Sequence, residues 1–361
     1  MTRLVVRTRA TLSRRPDGSL PAFATGPASA VFAATLGTVW APLSDATALV
    51  VAPSGPLLSL PFALLLTQDF GGDDLRTAPW LVRTMSLAHV PSAASFVGLR
   101  HAAGGSRAAR PWFGFGDFRP VSLAAATRSF PGAACAEAAS AFAALPPLPR
   151  SLIELEAARA IVGANSSELL LGQAFTVEAV RRVSLKNYRI IHIATHALLP
   201  AELECQPQPL IVTSAPRGAT TADGAMLLAD EVLALDLNAD TVILSACNSG
   251  GRGGKLAGES LSALARAFFY AGSRSLLATH WSLNDAAGER LVSGLLRDDT
   301  RSAGEGLAQA LRTAQLTLLA AAGSSGVPAE VAHPFFWAPM ALIGEGGILH
   351  PPSQTALKGP A

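Results

Sequence analysis

The sequence predicts an α/β protein built on a mostly parallel β-sheet that is covered by helices on both faces. From residue 151 onward, short apolar runs bounded by turn residues alternate with amphipathic helical patterns, and this alternation is typical of βαβ units. The runs are continuous rather than alternating with polar residues, as expected of strands buried on both faces. With 361 residues, 50% of them hydrophobic, the chain can bury one large core or two modest ones.

The first part of the chain contains the weaker patterns. Residues 1–34 are rich in Arg, Ser, Pro and Gly, and we expect a basic, poorly ordered lead-in. An amino-terminal half follows over residues 35–148. The proline-rich segment Leu145–Arg150 (LPPLPR) stiffens the chain and excludes helix, so it marks the internal boundary. The strands predicted in this half are 48–52, 81–90 and 112–118.

The second half, residues 149–346, carries the regular alternation, and a Gly- and Pro-rich stretch over 347–361 is expected to be a flexible tail. Ser151 and Glu154 have the spacing of a capping box at a helix start, and Gly163 marks the end of that helix. The remaining predicted strands are 189–194, 210–213, 241–244, 275–279 and 335–343, and the remaining predicted helices are 176–184, 229–235, 259–271, 284–296 and 302–321.

Charge and cysteine usage narrow the class of protein. The net charge of +2, with no Lys/Arg run between aromatic residues, argues against a nucleic-acid partner. The longest apolar stretch, 28–43, contains Thr35, Gly37 and Pro42, so we expect no membrane span. The three cysteines are widely spaced, which indicates neither a disulfide framework nor a CxxC metal site and favours the reducing cytoplasm.

Two predicted strands end on residues that could share one reaction. TVILSACNSG (241–250) presents Cys247 where strand gives way to turn, and RIIHIATHA (189–197) presents His196 at the same place. In a parallel sheet such carboxyl ends form the active-site crevice. A cysteine beside a histidine has the composition of a thiol nucleophile and its general base. A lone cysteine, by contrast, is more often a small buried hydrophobe.

Three other interpretations of nearby residues are weaker. His192 and His196 lie four apart, but four strand residues span roughly 13 Å, so the two cannot share a metal ion and His192 is expected in the core. His280, also at a strand end, is a second candidate for the base. GGRGGK (250–255) lacks the first Gly of a phosphate loop and the Ser or Thr after Lys255, so we reject a nucleotide site.

Several ordered motifs resemble the CHAT family of caspase-like cysteine peptidases. They are HIATHA, LSACNSG, GES, ATHWSLND and HPFFWAPMALIG in the second half, with APSGPLLSLPFALL and AHVPSAASF upstream. The resemblance covers about residues 35–346. It implies a caspase-like three-layer αβα sandwich preceded by a degenerate caspase-like half. It also implies a cysteine endopeptidase that needs no cofactor or metal and acts on protein or peptide substrates, with a role in bacterial signalling or defence.

The resemblance also assigns roles to single residues. His196 matches the catalytic histidine and Cys247 the nucleophile, and the backbone N–H groups of Ala197 and Cys247 would form the oxyanion hole. Ser245, at the position that selects basic substrates in related peptidases, and Trp281, Ser282 and Asp285 would line the substrate cleft. Because Ser245 replaces the Asp of those relatives, it gives no support for Arg or Lys specificity.

One departure from the family pattern leaves an alternative open. The family usually has Gly where this chain has Ala197, and a positive φ there would strain an alanine. The alternative is therefore a catalytically inactive CHAT-type signalling or scaffold module. The family often carries helical repeats before this domain, and none is visible here. A regulatory sensor protein or a separate repeat-containing chain is accordingly the partner we expect.

Overall fold

The structure is a computed structural model that describes residues 1–101, 105–163, 167–200, 203, 205–248, 254–281, 283–297 and 306–344. For residues 101, 167, 246–248, 254–260 and 285 within these ranges it describes the backbone alone. The predicted tail, 347–361, lies outside the described residues.

Within the described ranges, ten strands form one sheet. They are β1 (Ala48–Val51), β2 (Ser86–His89), β3 (Arg110–Gly116), β4 (Ser167–Leu171), β5 (Tyr188–Leu198), β6 (Leu210–Val212), β7 (Met226–Leu228), β8 (Thr241–Asn248), β9 (Ser275–Thr279) and β10 (Met340–Gly344). The order is β1-β2-β10-β9-β8-β5-β3-β4, and β6 pairs with both β5 and β7. Six of the strand pairs are parallel, and β9–β10, β5–β6 and β6–β7 are antiparallel. The predicted, mostly parallel sheet is confirmed.

Helices cover both faces of this sheet. The α-helices of the described residues are α1 (Thr2–Ala10), α2 (Thr25–Ala34), α3 (Trp40–Leu43), α4 (Leu81–Thr84), α5 (Ala93–His101), α6 (Leu123–Ser129), α7 (Ala136–Ala143), α8 (Pro149–Val162), α9 (Val177–Arg182), α10 (Ala229–Leu233), α11 (Gly254–Ala271), α12 (Asp285–Leu296), α13 (Leu307–Ala321) and α14 (Pro334–Trp337). Short 3₁₀ turns join several of them.

The two faces of the sheet belong to different apolar cores because strand side chains alternate with a period of two. Ile190 and Ala194 of β5 and Ile243 of β8 pack with α1, α2, α8, α12 and α13; we call this the α8 face. Ile191, Ile193, Val242 and Leu244 pack with α6, α7, α9, α10 and α11; we call this the α11 face. The result is a three-layer αβα arrangement.

Local sequence signals explain several element ends. Thr176 and Asn284 cap α9 and α12 as predicted, each side chain accepting a hydrogen bond from the backbone N–H three residues on. Gly163 and Gly272 follow α8 and α11 with φ of 103° and 110°, a conformation that favours glycine. The predicted strand 81–90 is wrong in its first half, where a turn of helix, α4, precedes β2.

The amino-terminal segment corrects our expectation of a poorly ordered lead-in. Residues 1–34 contain α1 and α2, and Val5, Leu12 and Val31 are buried in the α8-face core. Two of the arginines that suggested disorder, Arg9 and Arg14, lie over aromatic rings of the core. The Arg14 guanidinium carbon, for example, lies 5.2 Å from the ring centroid of Phe335.

The capping-box prediction at Ser151 is also wrong. Helix α8 begins two residues earlier, with Pro149 in its first turn and Leu148 as the N-cap residue. Pro149 suits the first helical position because it has no backbone N–H to leave unpaired. Ser151 therefore lies inside the first turn, where its Oγ donates to Leu148 O and accepts from the Asp117 N–H. Glu154 faces the core and has other partners.

The two predicted halves share one sheet. Strand β3, from the amino-terminal half, lies between β4 and β5 of the second half, and β10 lies between β2 and β9. The boundary drawn at residue 148 therefore does not separate two sheets, because strands from both sides of it interleave. Division of the chain into 35–148 and 149–346 stays a prediction.

A disulfide joins Cys135 to Cys205, so the prediction of no disulfide was wrong. The two residues are 70 positions apart in the chain, and folding brings the start of α7 against the connection between β5 and β6. Sequence spacing could not show this, because the contact is created by the tertiary fold. In the part of the chain that the structure describes, no helix is both long enough and apolar enough to span a membrane.

Candidate active site

Strands β5 and β8 place the two predicted catalytic residues side by side. The strands are parallel neighbours, and their register runs from Ile190 opposite Thr241 to Ala197 opposite Asn248. Within this register His196 is the direct partner of Cys247. Neighbouring strands lie about 4.8 Å apart, so the two backbones are adjacent at the carboxyl ends of both strands. The Cys247 side chain lies outside the described atoms.

The His196 ring is held in one orientation by its surroundings. The residue is 1% exposed, and Nε2 lies 2.8 Å from the carbonyl oxygen of Pro146. A carbonyl can only accept, so Nε2 carries the hydrogen and Nδ1 has the lone pair. The Phe118 ring packs edge-on against the imidazole at 5.2 Å between centroids. Nδ1 has no hydrogen-bond partner among the described side chains.

Burial favours the neutral form of this histidine. It lowers the pKa of His196 below the ordinary 6.5, and the hydrogen bond to Pro146 opposes that shift only in part. A neutral imidazole with a free Nδ1 lone pair can accept a proton at physiological pH. The chemistry available at His196 is therefore that of a general base.

Ala197 is not strained. Among the non-glycine residues that the structure describes, positive φ occurs at Asp117 and Cys205 and not at Ala197. Ala197 continues β5 as an extended residue, opposite Ile211 of β6 and Asn248 of β8. An alanine occupies this backbone conformation without cost, so the departure from glycine carries no penalty here.

The two predicted cleft residues whose side chains the structure describes, Trp281 and Ser245, are both buried. Trp281 is 5% exposed, and its indole Nε1 donates to the carbonyl of Phe335 at 3.0 Å. The Arg9 guanidinium lies 5.5 Å from the Trp281 ring centroid and donates to the His280 carbonyl at 2.9 Å. Trp281 is thus a packing residue in the core rather than the wall of an open cleft. Ser282 lies outside the described residues, and Asp285 opens α12 with only its backbone described.

Ser245 also points into the protein. It is buried, and its Oγ donates to Glu154 Oε2 at 3.1 Å on the α8 face of the sheet. The other carboxylate oxygen, Oε1, lies 2.7 Å from Nε2 of His192. His192 is fully buried, as expected of a core histidine.

His280 is poorly placed to act as the base. Leu276 and Ala278 belong to the α11 face, and the two-residue period of a strand gives position 280 the same face. By the same period, His192 and His196 share the α8 face with Ile190 and Ala194. Burial lowers the pKa of His280 well below 6.5, with a further contribution from the nearby charges of His89 and Arg9. Of the two candidate histidines, His196 alone is the register partner of Cys247.

Two residues of the site escaped the sequence analysis. Pro146 lies in the LPPLPR segment, which we interpreted only as a stiff linker, yet its carbonyl orients His196. Glu154 was assigned to a helix cap, yet it contacts both site-bearing strands. A carboxylate at a core-facing helical position was the available signal, because charged side chains are rarely buried without partners.

Comparison with known proteins gives a family and a set of similar solved structures, among them the following two. A model of the CHAT domain matches residues 27–345. A crystal structure of the Arg-specific cysteine proteinase gingipain R aligns with a TM-score of 0.44 and 7% identity, covering 96% of this chain and 74% of that one. A complex of the pro- and mature domains of the Porphyromonas gingivalis protein RgpB aligns with a TM-score of 0.46 and 9% identity, covering 96% and 76%. No curated protein sequence matches the chain. Since the family model spans nearly all of the described sheet and helices, the chain belongs to the CHAT domain family.

Proposed function

We propose that this protein is a caspase-like cysteine endopeptidase that hydrolyses peptide bonds through Cys247 and His196. The observation that carries the proposal is the pairing of these two residues in the β5–β8 register. The two-residue period of a strand also gives positions 245 and 247 of β8 the same face, and Ser245 is on the α8 face with His192. Position 247 and His196 therefore lie on the same face of the sheet and are also opposite each other in the register.

The chemistry follows from the tautomer of His196. Nδ1 takes the proton of the Cys247 thiol, and the thiolate attacks the carbonyl carbon of the scissile peptide. The tetrahedral intermediate collapses to a thioester as the amine leaves with the proton from Nδ1. Water, deprotonated at Nδ1, then hydrolyses the thioester and restores the thiol. The Pro146 carbonyl, bound to Nε2, stabilises the imidazolium that forms in each half of the cycle.

The oxyanion would be held by the backbone N–H groups of Ala197 and Cys247. The extended conformation of Ala197 supports this assignment because it removes the strain that alanine would otherwise bring. Loss of one such donor in other enzymes costs about 2.7–4 kcal/mol of transition-state stabilisation. The extended conformation of Ala197 also removes one of the two observations behind the alternative of an inactive scaffold module. The other, the lack of recognisable helical repeats in the sequence, still stands.

The experiment is covalent labelling with a peptidyl acyloxymethyl ketone, which traps an activated active-site thiol. We expect wild-type protein and a Cys135→Ser/Cys205→Ser double variant to be labelled, and Cys247→Ala to remain unlabelled. His196→Ala should fold and lose both labelling and turnover of a peptide library. Labelling that persists in Cys247→Ala, or turnover that persists in His196→Ala, would refute the assignment.

The substrates, biological role, regulation and cellular location of this activity are also proposals. Protein or peptide substrates, a role in bacterial signalling or defence, and control by a sensor protein or repeat-containing chain follow from membership of the family. A cytoplasmic location stays a prediction, and the Cys135–Cys205 disulfide removes one of its premises, that of three free thiols. Mass spectrometry of the protein alkylated inside cells would show whether that disulfide forms in its natural compartment.

A further inference from the structure

Glu154 forms a buried polar bridge between the two strands that carry the proposed dyad. Glu154 is on α8, and its side chain is 10% exposed. One oxygen lies 2.7 Å from His192 Nε2 and the other accepts from Ser245 Oγ at 3.1 Å. His192 belongs to β5 and Ser245 to β8. One side chain therefore holds both strands from the same face.

The bridge is close to the site along each strand. Ser245 precedes Cys247 by two residues and His192 precedes His196 by four, which correspond to roughly 7 Å and 13 Å along extended chain. In the register, Ser245 is opposite Ala194 and His192 is opposite Ile243. Any relative slide of β5 against β8 would have to break one of the two hydrogen bonds of Glu154.

The amino-terminal part of α8 and the loop before it make the other contacts to the site. The Pro146 carbonyl binds His196, and Ser151 Oγ accepts from the Asp117 N–H, which fixes the turn that places Phe118 against the imidazole. Glu154 lies one turn further along the same helix. The segment from Pro146 to Glu154 thus contacts the histidine, its packing partner and both strands.

The composition of the bridge is unusual for a core that only needs to be stable. A buried ionisable pair rarely stabilises a fold more than apolar residues of similar volume. Nδ1 of His192 and Nε1 of the neighbouring Trp112 are buried without hydrogen-bond partners among the described residues, and the two rings lie 5.9 Å apart, edge to face. Unlike apolar side chains, the bridge supplies directional hydrogen bonds to two strands at once.

We propose that Glu154 is a positioning residue for the Cys247–His196 pair, acting through Ser245 and His192 to fix the relative level of the two strand ends. This inference rests on the proposed peptidase function. Misplacing reacting groups by about 1 Å can reduce a rate on the order of 100-fold. Loss of the bridge should therefore lower kcat far more than it changes KM, because Glu154 is buried and its carboxylate is bonded to the two strands.

Two substitutions at Glu154 separate the bridge from the charge. Glu154→Gln keeps an oxygen to accept from His192 and an N–H to bond Ser245 Oγ, while Glu154→Met keeps the volume and removes both bonds. Both lack the carboxylate charge, so the difference between them isolates the bridge. Ser245→Ala removes only the hydrogen bond between Ser245 and Glu154. Glu156, exposed on the same helix, gives the matched control Glu156→Met.

We expect kcat to fall at least about 10-fold in Glu154→Met, several-fold in Ser245→Ala and less than about 3-fold in Glu154→Gln and Glu156→Met, with KM unchanged. The pH profile of Cys247 alkylation by iodoacetamide, followed at the Cys247 peptide, should move to higher pH in Glu154→Met relative to Glu154→Gln. Equal kcat and equal alkylation profiles in these two variants, with wild type active, would overturn the positioning role and leave the peptidase intact.

Two further outcomes are distinguishable. If wild type turns over no peptide, the proposed function fails, and the alkylation profiles alone still decide whether Glu154 positions the thiol. If Glu154→Met does not fold, Ser245→Ala provides the test, because it deletes one hydroxyl. A Ser245→Ala variant with wild-type kcat and alkylation profile would then refute the proposal.

Discussion

Removing the Cys135–Cys205 disulfide should lower the free energy of unfolding by about 4.4 kcal/mol. The bond closes a loop over a sequence separation of 70 residues. Cross-linking a loop of that length removes about 15 cal/mol/K of entropy from the unfolded chain, which is about 4.4 kcal/mol at 25 °C. With a urea m-value of about 3 kcal/mol/M, the midpoint of unfolding should move down by roughly 1.5 M.

The assay compares urea unfolding of oxidised wild type with that of the Cys135→Ser/Cys205→Ser double variant, each with and without dithiothreitol. Reductant should shift wild type to the midpoint of the variant and leave the variant unchanged. Thiol titration of unreduced, denatured wild type should find one free thiol, that of Cys247, out of three cysteines. Three titratable thiols, or equal midpoints for oxidised wild type and variant, would refute the reasoning.

Three further outcomes are expected. Because the pKa of His196 is lowered, the acid limb of kcat/KM should have its midpoint below pH 6.5, and a midpoint above 7 would contradict this. Burial lowers the pKa of His89 to about 4. As the pH drops from 6.5 towards 4, His89 therefore binds a proton in the unfolded protein before it does so in the folded one, and the free energy of unfolding should fall by up to about 1.4 kcal/mol per pH unit. His89→Phe should flatten that slope in urea melts. Gly272→Ala places a Cβ 2.2 Å from the Leu237 carbonyl oxygen at φ +110° and should lower the free energy of unfolding by several kcal/mol. Gly326→Ala, at φ +78° with nothing within 4 Å, should lower it by only about 1–2 kcal/mol. Equal shifts in the thermal midpoints of the two variants would contradict the steric argument.

The site-bearing strands were predictable because their signals are local. The apolar runs of 189–194 and 241–244 end in small or polar residues, and both became parallel neighbours with His196 opposite Cys247. Their adjacency was an inference from the length of the crossover between them. The same local logic gave the caps at Thr176 and Asn284.

What the sequence did not reveal depends on partners distant in the chain. Glu154 bonds residues 38 and 91 positions away, and Arg9 bonds a carbonyl 271 positions away. In each case the local pattern had a plausible meaning of its own, a helix cap for Glu154 and a disordered basic segment for Arg9. The tertiary fold instead buries both side chains against distant partners. A charged side chain in a core is stabilised only by the specific groups that the fold brings to it.

The position of β10 in the sheet sets a delay on folding during synthesis. The last described strand lies between β2 and β9, yet Met340 follows His89 by 251 residues. At about 5–20 residues per second, a ribosome needs roughly 13–50 s to make that interval. For this time the edge of β2 has no strand to pair with on that side, and a nascent chain stopped before residue 340 would keep both it and β9 open. Unpaired apolar strand edges are sites of aggregation, so the nascent protein should be most prone to aggregate in the interval before β10 emerges.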